Sequence, residues 1–365
     1  MKNDGLLYQI SLTLVSGIGN VLAKKLINFC GSAEAVFLEK ERYLLKIPGI
    51  GQAIVQAIKE YRCFDRAEEE IAFIERHRIQ PLSYLDEAYP QRLKECYDAP
   101  ILLYYTGNVN MNCDKILSVV GTRTPTEYGK EVCEKIVSEL TGVLIVSGLA
   151  YGVDSCAHRA ALKSNLQTIA VLAHGLDRIY PAQNKRLAKE IIVNGGLLTE
   201  FMSRVIPDRE NFPQRNRIVA GMADATLVIE TPSRGGSLIT ASLANSYNRD
   251  VFAIPGKITD PKSSGCNWLI RSNRAALVEN ASQIKEMMGW DSESKKIGVV
   301  QKKLFPVLTP DEEIIYKILE ENGESSIDFI VRNANLTTSK ISAALLNMEF
   351  ENIIKALPGR MYILA

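Results

Sequence analysis

The chain has 365 residues, 46% apolar and 23% charged with a net charge of +1, an ordinary globular balance for two or three domains. No apolar run reaches the roughly 18 residues a membrane-spanning helix needs, and the start, MKNDGLLYQISL, lacks the long apolar core of a signal peptide, so a cytoplasmic protein is expected. Seven scattered cysteines without a C-x-x-C pair read as reduced thiols, and with only His77, His158 and His174 no zinc site and no metal cofactor are expected.

Charge is unevenly spread. Residues 1–78 hold eleven Lys/Arg against ten Asp/Glu, and residues 309–365 hold five against nine. The middle of the chain therefore carries +4, and a polyanion site is expected there.

Residues 1–78 read as a helical module. LTLVSGIGNVLAKKLI and LLKIPGIGQAIVQAI each place a Gly-x-Gly turn (Gly17 and Gly19, Gly49 and Gly51) between two apolar helical runs. Such helix-hairpin-helix-like turns expose backbone N–H groups at the following helix, where a phosphate can sit. They serve equally as plain packing hairpins, and only Lys24 and Lys25 add local positive charge. Residues 65–78 form a charged helix, and 79–113 enter the next domain with extended pieces such as PILLYY.

From about 115 to 290 strands and helices alternate. The runs ILSVVG, VLIVSG, TIAVLA, ATLVIE and DVFAIPG have strand length and β-branched content. Between them lie EYGKEVCEKIVSEL, VDSCAHRAALK, AQNKRLAKEIIV and SLITASLANSY, which are helical. This is the pattern of an α/β domain, a Rossmann-like parallel sheet covered on both faces, over residues 79–290. Residues 291–306 read as a polar linker. In 307–365, Thr309-Pro310-Asp311-Glu312 gives a capping box with proline at the first helical position. Three helices and a hairpin with a Pro358-Gly359 turn follow, the layout of a winged helix. Its second long helix carries one cation, Lys340, in an acidic setting that suits a structural or protein-binding wing better than a DNA groove.

In open parallel sheets ligands bind outside the carboxyl ends of the strands. There this chain places Gly121-Thr122-Arg123, then Ser147 to Asp154 with Gly148 and Gly152, then HGLDRIYPAQN, then the segment holding ENFPQRNR, then Glu230 and the Ser233–Ser237 stretch with Gly236. Glycine-rich strand-to-helix turns present N–H groups to phosphate. Neither a P-loop nor a G-x-G-x-x-G string is present, against ATP hydrolysis and dinucleotide binding. Phe212-Pro213-Gln214-Arg215-Asn216-Arg217, preceded by Arg204 and Arg209, combines arginine forks for phosphate with a ring for an unpaired base. The alternative is a ring that staples its helix and arginines that pair with Asp208 and Glu210. His158, within CAHRAAL, is placed for a structural role in preference to that of a catalytic base.

Together VVGTRTPTEYG, SGLAYGVDSCAHRAAL, TIAVLAHGLDRIYPAQNKRL, FPQRNRIVAG, GGSLITASLA and RDVFAIPG followed by SSGCNWLIR resemble the DNA-processing protein A (Smf) family, in its order, over residues 84–285. The resemblance implies a non-enzymatic single-stranded-DNA-binding homodimer that protects incoming DNA and loads the RecA recombinase during natural transformation. Two stretches depart from the family: Ala173-His174-Gly175, where a glycine usually follows VL, and the longer loop around Asn273 and Arg274. The DNA contacts then expected are Gly121, Arg123, Ser147, Gly148, Gly152, Arg209, Phe212, Arg215, Asn216, Arg217, Gly236 and Ser237. Trp268, Leu269 and Ile270 are consecutive, so one helix face cannot bury all three; with Leu277, Trp268 and Ile270 are expected at the dimer interface. The rival reading is a nucleotide phosphoribohydrolase on the same core. That family carries a glutamate in P-G-G-x-G-T-x-x-E, and Leu238 and Ser242 stand at the corresponding glycine and glutamate positions, leaving no evident acid or base.

Overall fold

The computed structural model describes residues 4–290, 308–334, 336–351, 353–357 and 361–364. The expected linker 291–306 and the Pro358-Gly359 turn lie outside them. The chain forms two units, residues 1–290 and 291–365.

Six helices open the first unit: α1 (Asp4–Leu14), α2 (Asn20–Cys30), α3 (Ala33–Leu38), α4 (Glu41–Leu44), α5 (Gln52–Glu60) and α6 (Phe64–His77). Gly17 and Gly49 take φ of +81° and +91°, so the two Gly-x-Gly turns do use the conformation that only glycine adopts freely. Then come β1 (Gln80–Ser83), α7 (Gln91–Lys94) and β2 (Leu102–Gly107). The alternating part is β3 (Ile116–Val120), α8 (Glu127–Ser138), β4 (Leu144–Ser147), α9 (Val153–Lys163), β5 (Thr168–Val171), α10 (Lys185–Val193), β6 (Gly195–Thr199), α11 (Asn211–Gly221), β7 (Ala225–Val228), α12 (Ser237–Ser246), β8 (Asp250–Ala253), α13 (Ser264–Arg271), β9 (Ala276–Leu277) and α14 (Ala281–Met287).

These strands make one nine-stranded sheet in the order β1-β2-β6-β5-β4-β3-β7-β8-β9. From β6 to β9 all neighbours are parallel, while β2 runs antiparallel to both β1 and β6. The extended piece PILLYY falls on β2, whereas β1 and β6 were not among the strands read from sequence. In β6 two glycines interrupt the β-branched pattern, and Gly196 lies under the ring of Tyr105, where a side chain would collide.

The apolar runs are continuous because both faces are covered. In β3, Ile116 and Val120 join the cluster beneath the helical module, and Leu117 and Val119 join the one beneath α8 and α9. The same two-residue alternation recurs in β4 (Leu144 and Val146 against Ile145) and β8 (Val251 and Ala253 against Phe252). The first cluster runs without a break from the α1–α6 module into one face of the sheet, across the expected boundary at 78/79.

The second unit contains α15 (Pro310–Asn322), β10 (Ser325–Ser326), α16 (Ile327–Ala334), α17 (Thr338–Phe350), β11 (Ile354–Leu357) and β12 (Met361–Leu364), with strand order β10-β12-β11. The capping box forms as read: Thr309 accepts from the Glu312 N–H, and Glu312 accepts from the Thr309 N–H. Lys340, the cation of α17, pairs with Asp311 at 3.5 Å.

Candidate nucleic-acid interface

The strand order sets the place of the site. From β3 the chain builds outward through β4, β5 and β6, then returns to lay β7 on the other side of β3. At this switch point the loops after β3 and β7 diverge and leave a crevice. A cleft of about 770 Å³ occupies it. Its walls are Gly121, Thr122 and Arg123 after β3, Ala150 and Asp154 around the start of α9, Phe212, Arg215 and Asn216 of α11, and Thr231 to Thr240 leading into α12.

Arg123 and Phe212 meet across the cleft. The Arg123 guanidinium lies 5.1 Å from the centroid of the Phe212 ring, and that of Arg215 lies 6.0 Å away. Arg123 is exposed and Phe212 half-buried, whereas Arg215 is buried in the floor. There it faces Asp154, 3.7 Å away. Burial pushes the Asp154 carboxyl up from its ordinary value against the pull of Arg215, and pushes the Arg215 guanidinium down against the pull of Asp154. Arg215 reaches this position because residue 148 has no side chain: a Cβ on Gly148 would coincide with the guanidinium. Gly152, at φ +79°, lets the start of α9 close on the backbone of Thr122 and Arg123, a contact any Cβ would block. Val153 N–H donates to the Thr122 carbonyl at 3.1 Å and ties the β3 loop to α9.

Gly236 and Ser237 open α12 at the cleft wall, and the buried Ser237 hydroxyl has no hydrogen-bond partner among the described residues. Arg209 lies at the rim and is exposed. Two of the expected contacts lie elsewhere. Arg217 is two residues past Arg215 and so on another side of α11. It is buried and bonded to the Glu200 carboxylate and the Asp98 carbonyl. Ser147 is fully buried at the end of β4 and donates to the Val119 carbonyl at 2.6 Å. In place of the alternative pairing with Asp208 and Glu210, Arg204 pairs with Glu69, Arg215 with Asp154 and Arg217 with Glu200.

Sequence reading missed several walls of the site. Tyr180 and Tyr151 are exposed and, with Phe212, line a smaller recess beside the cleft; the Tyr180 and Phe212 rings lie 6.3 Å apart. Tyr180 stands in the string HGLDRIYPAQN, whose composition carries no positive charge beyond Arg178. Asn184, in the same string, is buried and donates to the Leu149 carbonyl at 2.8 Å, holding the glycine-rich loop in place.

Glu230 is not free to act as an acid or base in the cleft. It is buried and accepts from the Thr126 N–H at 2.9 Å and the Thr126 hydroxyl at 2.5 Å, which fixes the cap of α8. Ser242, at the place of the hydrolase glutamate, lines a neighbouring groove on the far side of α12. His158 is fully buried with Nδ1 2.7 Å from Thr168 Oγ1. Thr168 already donates to the Ile145 carbonyl, so the imidazole carries its proton on Nδ1. His174, in one of the departing stretches, is buried, accepts from the Tyr180 N–H at 3.2 Å, and braces the same loop.

Of the residues expected at a dimer interface, Trp268 and Leu277 are exposed, with Arg274 stacked 5.1 Å from the Trp268 ring. Ile270 is partly buried against the domain's own core, because Leu269 and Ile270 turn inward and leave Trp268 outside. Among the described residues no helix is long and apolar enough to cross a membrane.

A Rossmann-like α/β unit with an arginine–aromatic cleft at its switch point, followed by a winged-helix unit, is the class of protein that these elements define. Residues 80–289 match the model of DNA recombination-mediator protein A, and residues 305–360 match that of the DprA winged helix domain. The chain belongs to the DNA recombination-mediator protein A family, also called DprA or Smf. It is 33% identical to Protein Smf of Synechocystis sp., over 99% of both chains. It is 43% identical to DNA processing protein DprA of Streptococcus pneumoniae, over 57% of this chain and 73% of the relative. The solved structure of the S. pneumoniae protein aligns with a TM-score of 0.67 at 35% identity, covering 77% of this chain and 97% of the other. That of DNA processing protein A from Helicobacter pylori, determined for its single-stranded DNA binding mode, aligns at 0.54 and 30% identity, covering 59% and 97%.

Proposed function

We propose that the cleft holds single-stranded DNA. The observation that carries this is the Arg123 guanidinium against the Phe212 ring at the sheet's switch point. One group neutralises a phosphate, and the other stacks on a base that only an unpaired strand can offer. Gly236 and the unpartnered Ser237 hydroxyl at the start of α12 supply N–H and O–H donors for a second phosphate. Arg209 and Asn216 meet the strand at the rim, while Gly121, Gly148 and Gly152 act by keeping the backbone close. Arg215 acts from the floor, its charge shared with Asp154.

No catalytic turnover is proposed. The protein acts as a carrier that protects incoming DNA and passes it to the RecA recombinase in the cytoplasm, a role supported by family membership. The chain is proposed to work as a homodimer through the exposed face at Trp268 and Leu277. The experiment that tests the binding is a salt titration of affinity for single-stranded and duplex DNA of equal length. Preference for the single strand, with log K falling as log salt rises, is expected; equal affinity for both forms removes the reading. For loading, DNA-dependent ATP hydrolysis by RecA on strands precoated with a single-strand-binding protein should rise when the protein is added. Absence of that rise removes the loading role and leaves DNA binding standing.

A further inference from the structure

The segment 200–210 between β6 and α11 has no regular structure, yet it carries Arg209 and leads directly into Phe212. Arg204 sits in it at φ +69°, a conformation that needs holding from outside. Part of the holding comes from the helical module. Glu70 of α6 is buried and accepts from the Ser203 N–H at 2.9 Å and the Ser203 hydroxyl at 2.5 Å. Arg66, one turn earlier on α6, pairs with Glu70 at 2.8 Å and donates to the Ser203 carbonyl at 2.7 Å. All three polar groups of Ser203 are thus taken by one helix of another module. At the segment's start, Asn20, the first residue of α2, donates to Glu200 at 3.3 Å, and the same Glu200 oxygen accepts from Arg217 of α11. Within the α/β part, Asp177 accepts from the Arg204 N–H at 3.0 Å, the Gly175 N–H donates to the Val205 carbonyl at 3.2 Å, and the Phe201 N–H donates to the Thr199 hydroxyl at 3.1 Å.

Of the two cations beside the Gly-x-Gly turns, Lys24 is bonded to the sheet domain and Lys25 to the carbonyl just before the second turn. Lys24 donates to the carbonyls of Cys96 and Tyr97 at 3.2 and 2.8 Å, and Lys25 donates to Pro48 at 3.5 Å.

We propose that the amino-terminal helical module is a positioning device for the cleft: Glu70 and Asn20 fix the 200–210 segment and, through Glu200 and Arg217, the pose of α11, so that Arg209 and Phe212 meet a bound strand. The proposal rests on the single-strand reading of the cleft. A buried carboxylate that accepts from both the N–H and the hydroxyl of one serine in a distant segment, and pairs with Arg66, holds a single geometry, since any other leaves a charge unpaired in the interior. The module thereby converts its own packing into order at Ser203 and Arg204, in the segment that leads to Arg209 and Phe212.

The test is a double-mutant cycle in the full-length protein between Glu70→Gln and Phe212→Ala, read as affinity for fluorescein-labelled oligothymidylate, with folding checked by circular dichroism. Glu70→Gln should weaken binding about ten-fold in the wild-type background, within the range of couplings between linked residues. In the Phe212→Ala background it should cost clearly less, and the salt slope should flatten as the Arg209 contact loosens. A residue that only stabilises the fold would lower the unfolding midpoint and leave both affinities alone; that result, or additive losses, overturns the proposal. If Glu70→Gln does not fold, Ser203→Ala carries the test, because it removes only the hydroxyl's contacts with Glu70 and Arg66 and leaves those two residues paired. It should speed amide exchange across 200–212 and weaken binding; unchanged binding overturns the proposal. If the wild-type protein fails to prefer single strands, the cleft reading itself falls, an outcome distinct from a wild type that binds and a Glu70 variant that binds equally well.

Discussion

Phe212 and Arg123 touch the same space but would hold a strand by different physics. An arginine on a phosphate releases counterions, so Arg123→Ala should flatten the dependence of log K on log salt by about 0.7. A ring on a base releases none, so Phe212→Ala should lose about 1–3 kcal/mol of affinity at every salt concentration and keep the slope. Wild-type affinity in both variants would remove the pair from the site. His158 offers a different kind of test. Burial, with the charges of Arg215 and Arg159 adding to it, lowers its imidazole from 6.5 to about 3. Because the folded value is depressed, the folded state stays neutral while the unfolded chain takes up a proton below about 6.5. The contribution is complete above 6.5 and is lost as pH falls toward 3, at up to about 1.4 kcal/mol per pH unit. Asp154, raised by burial, works in the opposite direction at the acidic end of this range. Urea midpoints of wild type should therefore fall between pH 6.5 and 5, and those of His158→Gln should fall less. Parallel declines in the two proteins would show that His158 does not set the slope.

At the scale of the element, α11 presents two chemistries on two sides. Phe212, Arg215 and Asn216 line the cleft, while Arg217 is sealed behind them with Glu200, the two side chains only 10% and 9% exposed. Replacing one partner of such a pair strands the other charge in the interior, at a cost of about 3–5 kcal/mol. Arg217→Met should accordingly lower the denaturation midpoint sharply. Below that midpoint it should leave the salt slope of DNA binding at its wild-type value; a flattened slope would return Arg217 to the DNA contacts. The residue string FPQRNR could not separate these roles, because spacing along a helix assigns faces but does not say which face meets a cleft and which meets a buried carboxylate 17 residues earlier in the chain. The glycines were legible as turns, yet the reason for Gly148 is the Arg215 guanidinium, which is 67 residues away in sequence.

At the scale of the molecule, the exposed Trp268 and Leu277 lie at and beside the β8–β9 edge, with a groove of about 840 Å³ running past Trp268 and the exposed Ile258. Since Ile270 packs partly on its own core, the variant that probes association without disturbing the fold is Trp268→Glu with Leu277→Glu. Light scattering should report half the wild-type mass. If two clefts act together in one particle, strands long enough to reach both should lose far more affinity than short ones. A folded double variant of unchanged mass would place the interface elsewhere.

Local chemistry determined a good part of this protein in advance. Strand-length apolar runs alternating with amphipathic helices predict the parallel sheet, because a strand buried on both faces has no polar side to show. The Thr309–Glu312 spacing predicts the start of α15, because a capping box is complete within four residues. The carboxyl ends of the strands predict the neighbourhood of the cleft. Only the tertiary structure decided the rest. It laid β2 antiparallel on a glycine-bearing β6, brought Tyr180 beside Phe212, sent Arg217 and Ser147 inward, and tied Glu70 to Ser203 across 133 residues. Each of these depends on which distant groups burial forces together. A buried donor or charge must find a partner wherever the packed chain supplies one, and no local pattern records where that is.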